Sequence, residues 1–233
     1  MKGYGQFCPV AKGAEVFNEK WTPLIIRELM CGSNRFSDLK RGNPLISPTM
    51  LSQRLKSLEE DGVIEKIPAE GRDGAEYYLT EAGRDLAQVV IRLGIWGSKW
   101  ARSKLTKEDY EPELLMWDMR RRIDVSRFPR EKTVLGFVFL DMPSKNRSWW
   151  LIIENGEADL CLRDPGFEVD LLFKTTAKTM TDIWMGYTPI RKEISNKTLS
   201  LTGNPGIKDS LDDWFSYSVF TNPDALLNSQ LGT

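Results

Sequence analysis

Apolar positions in the first hundred residues recur at helical spacing, and several of the runs open on a cap-plus-proline signal. Cys8-Pro9 opens a helix expected to reach about residue 17. Thr22-Pro23 opens an apolar helix to about residue 30, stopped by Gly32-Ser33-Asn34. A short helix follows from 36 to about 40, and Gly42-Asn43-Pro44 is a turn. Ser47-Pro48 opens a helix in which Leu51, Leu55 and Leu58 repeat at spacings of four and three and so face a core. Thr49, Ser52, Gln53, Arg54 and Lys56 then point elsewhere. Gly62 ends that helix. Residues 63–67 and 75–79 read as strands joined by a polar tip at 68–74, and Thr80 caps a long helix to about 102.

Helix, short helix, helix, hairpin, helix is the layout of a winged helix-turn-helix that reads DNA. The segments that carry it are Trp21-Thr-Pro-Leu-Ile-Ile-Arg-Glu-Leu, Arg35-Phe-Ser-Asp-Leu-Lys, the run from Ile46 through Lys66, and Tyr77-Tyr-Leu-Thr-Glu-Ala-Gly-Arg, with Cys8-Pro9-Val10 as lead-in. Over about residues 7–102 they resemble the HxlR family of bacterial transcriptional regulators. Serine and glutamine near a helix start can bond phosphates and base edges, arginine and lysine can neutralise phosphates or contact guanine, and amides near Ser47 and Thr49 offer an anion site. The candidate DNA-binding residues are therefore Arg35, Ser47, Thr49, Ser52, Gln53, Arg54 and Lys56, with Arg72 at the wing tip suited to the minor groove or backbone. The resemblance further implies a homodimer built from the first and last helices, the latter through Leu86, Val89, Val90, Leu93, Trp96 and Trp100. The competing reading is that this stripe packs on its own domain. The resemblance also marks Cys8, since several HxlR-family regulators carry a cysteine there that senses electrophiles or oxidants. A thiol at a helix start sits at the positive end of the helix dipole, which favours the reactive thiolate, and Lys12 lies one turn on. The alternative is a buried cap residue.

A polar linker at 103–111 separates a different pattern. Pro112 opens a helix through Leu114, Leu115, Trp117 and Met119. Residues 133–140 are almost wholly apolar, and 148–154 and 157–163 flank Asn155-Gly156, a strong hairpin signal. A strand at 167–175, short helices at about 176–186 and 189–194, a strand at 197–202 and a helix at 205–215 complete it. Strands mostly precede helices, so an α+β domain with an antiparallel sheet is expected. Trp149-Trp-Leu-Ile-Ile-Glu-Asn-Gly-Glu-Ala-Asp-Leu, Val169-Asp-Leu-Leu-Phe-Lys-Thr-Thr, Asp182-Ile-Trp-Met-Gly and Leu199-Ser-Leu-Thr-Gly-Asn are similar to the sterol-carrier-protein type-2-like domain over about 110–217. That resemblance implies a sheet covered by helices around an apolar cavity. Phe137, Phe139, Trp149, Leu171, Phe173, Trp184 and Met185 are the candidate lining, although any one of them is first a core residue. Trp149 and Trp150 must face opposite sides of their strand.

A chain of 233 residues favours two domains, here 1–105 and 110–233, and 41% apolar with 28% charged residues describes an ordinary soluble protein. No run is long enough for a membrane span, and the first residues lack the apolar core of a signal peptide, so a cytoplasmic protein with no membrane partner is expected. Histidine is absent, which removes imidazole bases and His-containing metal sites. Cys8, Cys31 and Cys161 have no C-x-x-C spacing, and Cys31 and Cys161 are expected to be buried and inert. The net charge of −1 hides an asymmetry: residues 1–105 hold 16 Lys+Arg against 13 Asp+Glu, and residues 106–233 hold 16 against 20. Within 33–56, Arg35, Lys40, Arg41, Arg54 and Lys56 stand against Asp38, the footprint of a small DNA module.

The sequence thus reads as a non-enzymatic transcriptional regulator without cofactor or metal. It would bind duplex DNA as a homodimer, and its C-terminal domain would bind an apolar or amphipathic small-molecule effector. One rival keeps the DNA module, gives control to Cys8 oxidation and leaves the C-terminal domain purely structural. Another is a lipid carrier or hydrolase whose helix-turn-helix does not bind DNA; the missing histidines and the basic helix count against it.

Overall fold

The computed structural model describes residues 3–71, 73–129 and 131–222, which form two compact units, one ending at Arg102 and the other starting at Ser103. Among the described residues no helix is long and apolar enough to cross a membrane.

The first unit contains α1 (Pro9–Phe17), α2 (Thr22–Met30), α3 (Phe36–Arg41), α4 (Pro48–Glu60), β1 (Ile64–Pro68), β2 (Ala75–Leu79) and α5 (Glu81–Trp100). Its core is drawn from Ile25, Ile26, Leu39, Leu51, Leu55 and Leu58, each at most 2% exposed, with Val63, Ile64, Ala87 and Val90 around them. Ser47 caps α4, its hydroxyl accepting the Met50 N–H at 3.2 Å. The β1–β2 hairpin is antiparallel, and Tyr77 N–H donates to Asn34 O at 2.8 Å while Arg35 bridges Glu76, so the chain before α3 adds a third edge to the wing. α5 starts against the turn after α4. Thr80 Oγ1 donates to Gly62 O at 2.7 Å and accepts the Gly83 N–H at 3.1 Å. Gly83 lies so close that a Cβ there would sit 2.1 Å from Val63 O.

The second unit contains α6 (Pro112–Arg122), β3 (Thr133–Phe139), β4 (Ser148–Glu154), β5 (Glu157–Cys161), β6 (Leu171–Thr175), α7 (Ala177–Trp184), α8 (Ile190–Ser195), β7 (Ser200–Gly203), α9 (Pro205–Asp209) and α10 (Leu211–Trp214). The five strands lie in the order β5-β4-β3-β6-β7. The sheet is mixed, which corrects the antiparallel expectation: β3 and β6 run parallel, Phe137 beside Phe173. After β5 the chain crosses from one edge through 162–170 and enters β6 from the end at which β3 begins. Asp170 fixes that entry, accepting the Val134 N–H on Oδ2 at 2.8 Å and donating its own N–H to Val134 O at 2.9 Å. The expected single helix at 205–215 is two, α9 and α10, divided at Ser210, whose hydroxyl donates back to Gly206 O at 2.9 Å.

One sheet face carries Leu135, Phe137, Phe139, Leu151 and Phe173 into a core shared with Trp117, Met180, Ile183 and Trp214. On the other face Trp150, Ile152 and Leu172 are half-buried, and Val169 lies against Gly136, where a Cβ would come within 2.9 Å of it.

Candidate nucleic-acid interface

α4 is a helix with three surfaces. Leu51, Leu55 and Leu58 fasten it to the core. Thr49, Ser52, Gln53 and Lys56, at positions i, i+3, i+4 and i+7, are all exposed and form one continuous polar strip. Lys56 is 77% exposed, with only a loose 3.6 Å pairing to Glu60, so its ammonium can approach a phosphate at little cost. The strip turns acidic at Glu59 and Glu60, which confines its capacity for DNA to the N-terminal two turns. Ser47 and Thr49 are exposed at the helix start, beside its amide groups.

Arg54 belongs to the third surface. Its side chain is 18% exposed and its guanidinium pairs with Glu19, which corrects its assignment to the reading strip. The cause is geometric: each helical residue turns about 100°, and one step past Gln53 carries the side chain round towards the α1–α2 turn. Arg35 is 48% exposed at the start of α3, where its Nε lies 3.6 Å from Glu76 Oε1, so it belongs to the wing edge. Lys40 is turned inward, donating to Pro44 O at 2.9 Å. Arg72 lies outside the described residues.

A buried network ties α2 to the turn after it and to the end of α3. Glu28, fully buried on α2, accepts from Arg27 Nη2 at 2.7 Å and from Ser33 Oγ at 3.0 Å. Arg27 also donates to Gly42 O at 2.8 Å, which ties α2 to the end of α3. A Cβ on Gly42 would meet the Glu28 carboxylate at 1.9 Å.

A family model described as HxlR-like helix-turn-helix matches residues 16–105. The chain is 34% identical over 97 residues to the uncharacterised HTH-type transcriptional regulator YvaP of Bacillus subtilis (strain 168), a match covering 41% of this chain and 90% of that protein. The chain belongs to the HxlR-like helix-turn-helix family. The B. subtilis regulator YybR matches at 30% over 115 residues, 49% of this chain and 90% of its own length. An uncharacterised HTH-type regulator of Mycobacterium tuberculosis (strain ATCC 25618 / H37Rv) matches at 40% over 92 residues, but over only 58% of its length and 39% of this chain. Among solved structures, the reduced form of the transcriptional regulator YodB from B. subtilis aligns at 32% identity, covering 42% of this chain and 98% of that one, with a TM-score of 0.37. The HxlR-like protein is a transcriptional regulator with a helix-turn-helix DNA-binding domain. The matched family region stops at residue 105, so it leaves nearly all of the second unit unassigned.

The remaining sequence candidates divide. On α5, Val89, Leu93, Trp96 and Trp100 are 44–61% exposed, in one stripe. Val90, at 7% exposed, instead faces the unit's own core, and Leu86 packs partly against it, so these two leave the exposed stripe. α1 buries no residue, and Phe7 and Val10 at its start are 98% and 79% exposed. Sequence reasoning did not single out those two, although an unburied apolar pair beside Cys8 carried the signal. Cys8 is half-buried, and its side chain makes no cap hydrogen bond; its carbonyl accepts the Lys12 N–H at 3.1 Å. Lys12 Nζ is engaged by Glu15 at 3.0 Å. Cys31 is exposed and Cys161 half-buried, against the expectation of burial: Cys31 is the C-cap of α2, and Cys161 is the last residue of the sheet's edge strand.

In the second unit Phe137, Phe139, Trp149, Leu171, Phe173 and Trp184 are at most 6% exposed and belong to one core, with Met185 packed at its margin. Phe137 and Phe173 stack at 4.6 Å between centroids. These side chains fill space rather than line it, which corrects their assignment to a pocket wall. A shallow groove on this unit, of about 380 Å3, lies elsewhere, along Arg127, Lys132, Asp170, Asn204 and Ser210.

Proposed function

We propose that this regulator binds duplex DNA as a homodimer, inserting α4 into the major groove and reading base edges and phosphates with Ser47, Thr49, Ser52, Gln53 and Lys56. The observation that carries the reading is the exposed strip Thr49, Ser52, Gln53, Lys56 on a helix whose opposite side is anchored in the core. Dimerisation is supported by the exposed α5 stripe and by Phe7 and Val10, exposed apolar residues at the start of α1. Two such helices per dimer match a pseudo-palindromic site with half-sites about 34–36 Å apart. The test is selection of a duplex from a random-sequence library followed by gel shift. Gln53→Ala should weaken binding by about 1–3 kcal/mol if Gln53 reads a base. Unchanged affinity for both Gln53→Ala and Lys56→Gln overturns the assignment.

For residues 110–217 the reading is a sterol-carrier-like unit that takes an apolar effector. Helices on one face of a five-stranded sheet, with a concentration of aromatic side chains between them, support it. Because Phe137, Phe173 and Trp184 are packed, an effector would enter by parting α7 from the sheet, and it would bias DNA affinity only by binding two dimer arrangements unequally. Thermal shift with fatty acids and sterols tests it, since a ligand raises the melting temperature by mass action. No shift across the panel leaves the second unit a structural role.

A further inference from the structure

Arg54 is committed before any DNA arrives. It points from α4 into a groove of about 590 Å3 lined by Tyr4, Glu15, Asn18, Glu19, Ser57 and Asp61. Its guanidinium pairs there with Glu19, and the two side chains are only 18% and 19% exposed. Its Nε is buried without a hydrogen-bond partner among the described residues, so its remaining compensation is the charge of Glu19 and of the acids that line the same groove. Glu19 sits in the turn between α1 and α2, whose carbonyl accepts the Thr22 N–H at 3.0 Å. Two residues on, Trp21 holds a left-handed backbone at φ 81°, which is costly for a bulky residue and persists only where packing over-determines it. The ion pair therefore joins a mid-helix position of α4 to a rigid turn.

We propose that Arg54 is a positioning residue: it clasps the α1–α2 turn through Glu19 and so sets the placement of the strip Thr49, Ser52, Gln53 and Lys56, without contacting DNA itself. The inference rests on the assignment of α4 as the reading helix. A clasp and a phosphate contact differ in sign and in salt dependence. Each neutralised phosphate adds about 0.9 to the slope of log affinity against log salt, and a clasp adds nothing. Removing the negative charge of Glu19 would by electrostatics alone favour DNA, and would release Arg54 to reach it; a clasp makes the same change harmful.

The experiment titrates the full-length protein with a duplex selected by the wild type from a random-sequence library, at several salt concentrations. Arg54→Gln is expected to weaken binding by roughly tenfold, within the range for lost interface contacts, with the salt slope unchanged. Lys56→Gln should lower the slope by about 1 and calibrates the measurement. Glu19→Gln should weaken binding in the same direction as Arg54→Gln, and the exchange of Glu19→Arg with Arg54→Glu should restore most of what Arg54→Glu loses. The Glu19→Gln arm decides the matter should Arg54→Gln fail to fold. A slope lowered by about 1 in Arg54→Gln, or unchanged or tighter binding in Glu19→Gln, overturns the inference while leaving the reading helix in place. Unchanged affinity in both Gln53→Ala and Lys56→Gln overturns the reading helix, and the clasp with it.

Discussion

Single residues decide how firmly the DNA-binding unit is set. Glu28 has no solvent exposure, and its two carboxylate oxygens serve different partners, Arg27 and the Ser33 hydroxyl. Glu28→Ala would leave Arg27 facing Gly42 without its counter-charge and would remove the carboxylate that accepts the Ser33 hydroxyl. Breaking such a pair costs about 3–5 kcal/mol, and the lower end applies here because Arg27 is 22% exposed. The urea midpoint of the N-terminal unit should fall accordingly; a change too small to measure means that the network adds nothing. Cys8 is the second residue to which the resemblance gives a role. It is half-buried at the start of α1, between the exposed Phe7 and Val10, so a modified thiol would project from the face assigned to dimerisation. Under diamide or a quinone, DNA affinity of the wild type should change while Cys8→Ser should not respond. Identical gel shifts for the two would make the thiol structural.

At the scale of elements, α5 shows how one helix serves two surfaces. Gly83, Ala87, Val90 and Ile91 are buried in its own unit, whereas Val89, Leu93, Trp96 and Trp100 face outward. Trp96→Ala should weaken the dimer by about 2 kcal/mol, roughly thirtyfold in dissociation constant, as central aromatic anchors do. Sedimentation over a dilution series would read it, and an unchanged constant would move the interface elsewhere. Much of this was legible in the chain. Proline in the first turn located the starts of α1, α2, α4 and α6, although the N-cap of α2 is Trp21 and not Thr22, and Asn155-Gly156 located the β4–β5 turn. The leucine spacing of α4 gave its buried side. What escaped was set by tertiary contact. Arg54 lies one step round α4 from Gln53, off the exposed strip, and its partner Glu19 comes from another element, which the spacing within α4 cannot show. Val90 adjoins the exposed stripe, and a heptad count alone cannot say where the core ends. The parallel pairing of β3 and β6 had a signal that went unused: β3 is apolar on both faces, as parallel strands buried on two sides are. Aromatic richness in β3, β4 and β6 could not distinguish a cavity from a core, because the stacking of Phe137 on Phe173 depends on strand order.

For the whole molecule the decisive feature is that each unit owns a core. Ile25, Ile26, Leu51, Leu55 and Leu58 close the first, while Leu135, Phe137, Phe173, Met180 and Trp214 close the second. Units built this way fold independently, and the polar stretch between them is where a chain divides. The cations and hydroxyls proposed to meet DNA all lie before residue 102, and so do the exposed stripe of α5 and the apolar residues of α1. Residues 1–102 should therefore fold alone, form the dimer, and bind the selected duplex with the salt slope of the full chain, since the same phosphates are neutralised. The second unit would enter only through regulation. Any response to an apolar effector should appear in the full chain and vanish in the fragment. Circular dichroism melting, sedimentation and salt-dependent gel shifts on the two proteins side by side would test this. A fragment of lower salt slope would show that the second unit takes part in DNA binding itself, and one that is unfolded or monomeric would show that the second unit supports the fold or the dimer; either would return the unassigned half of the chain to the centre of the mechanism.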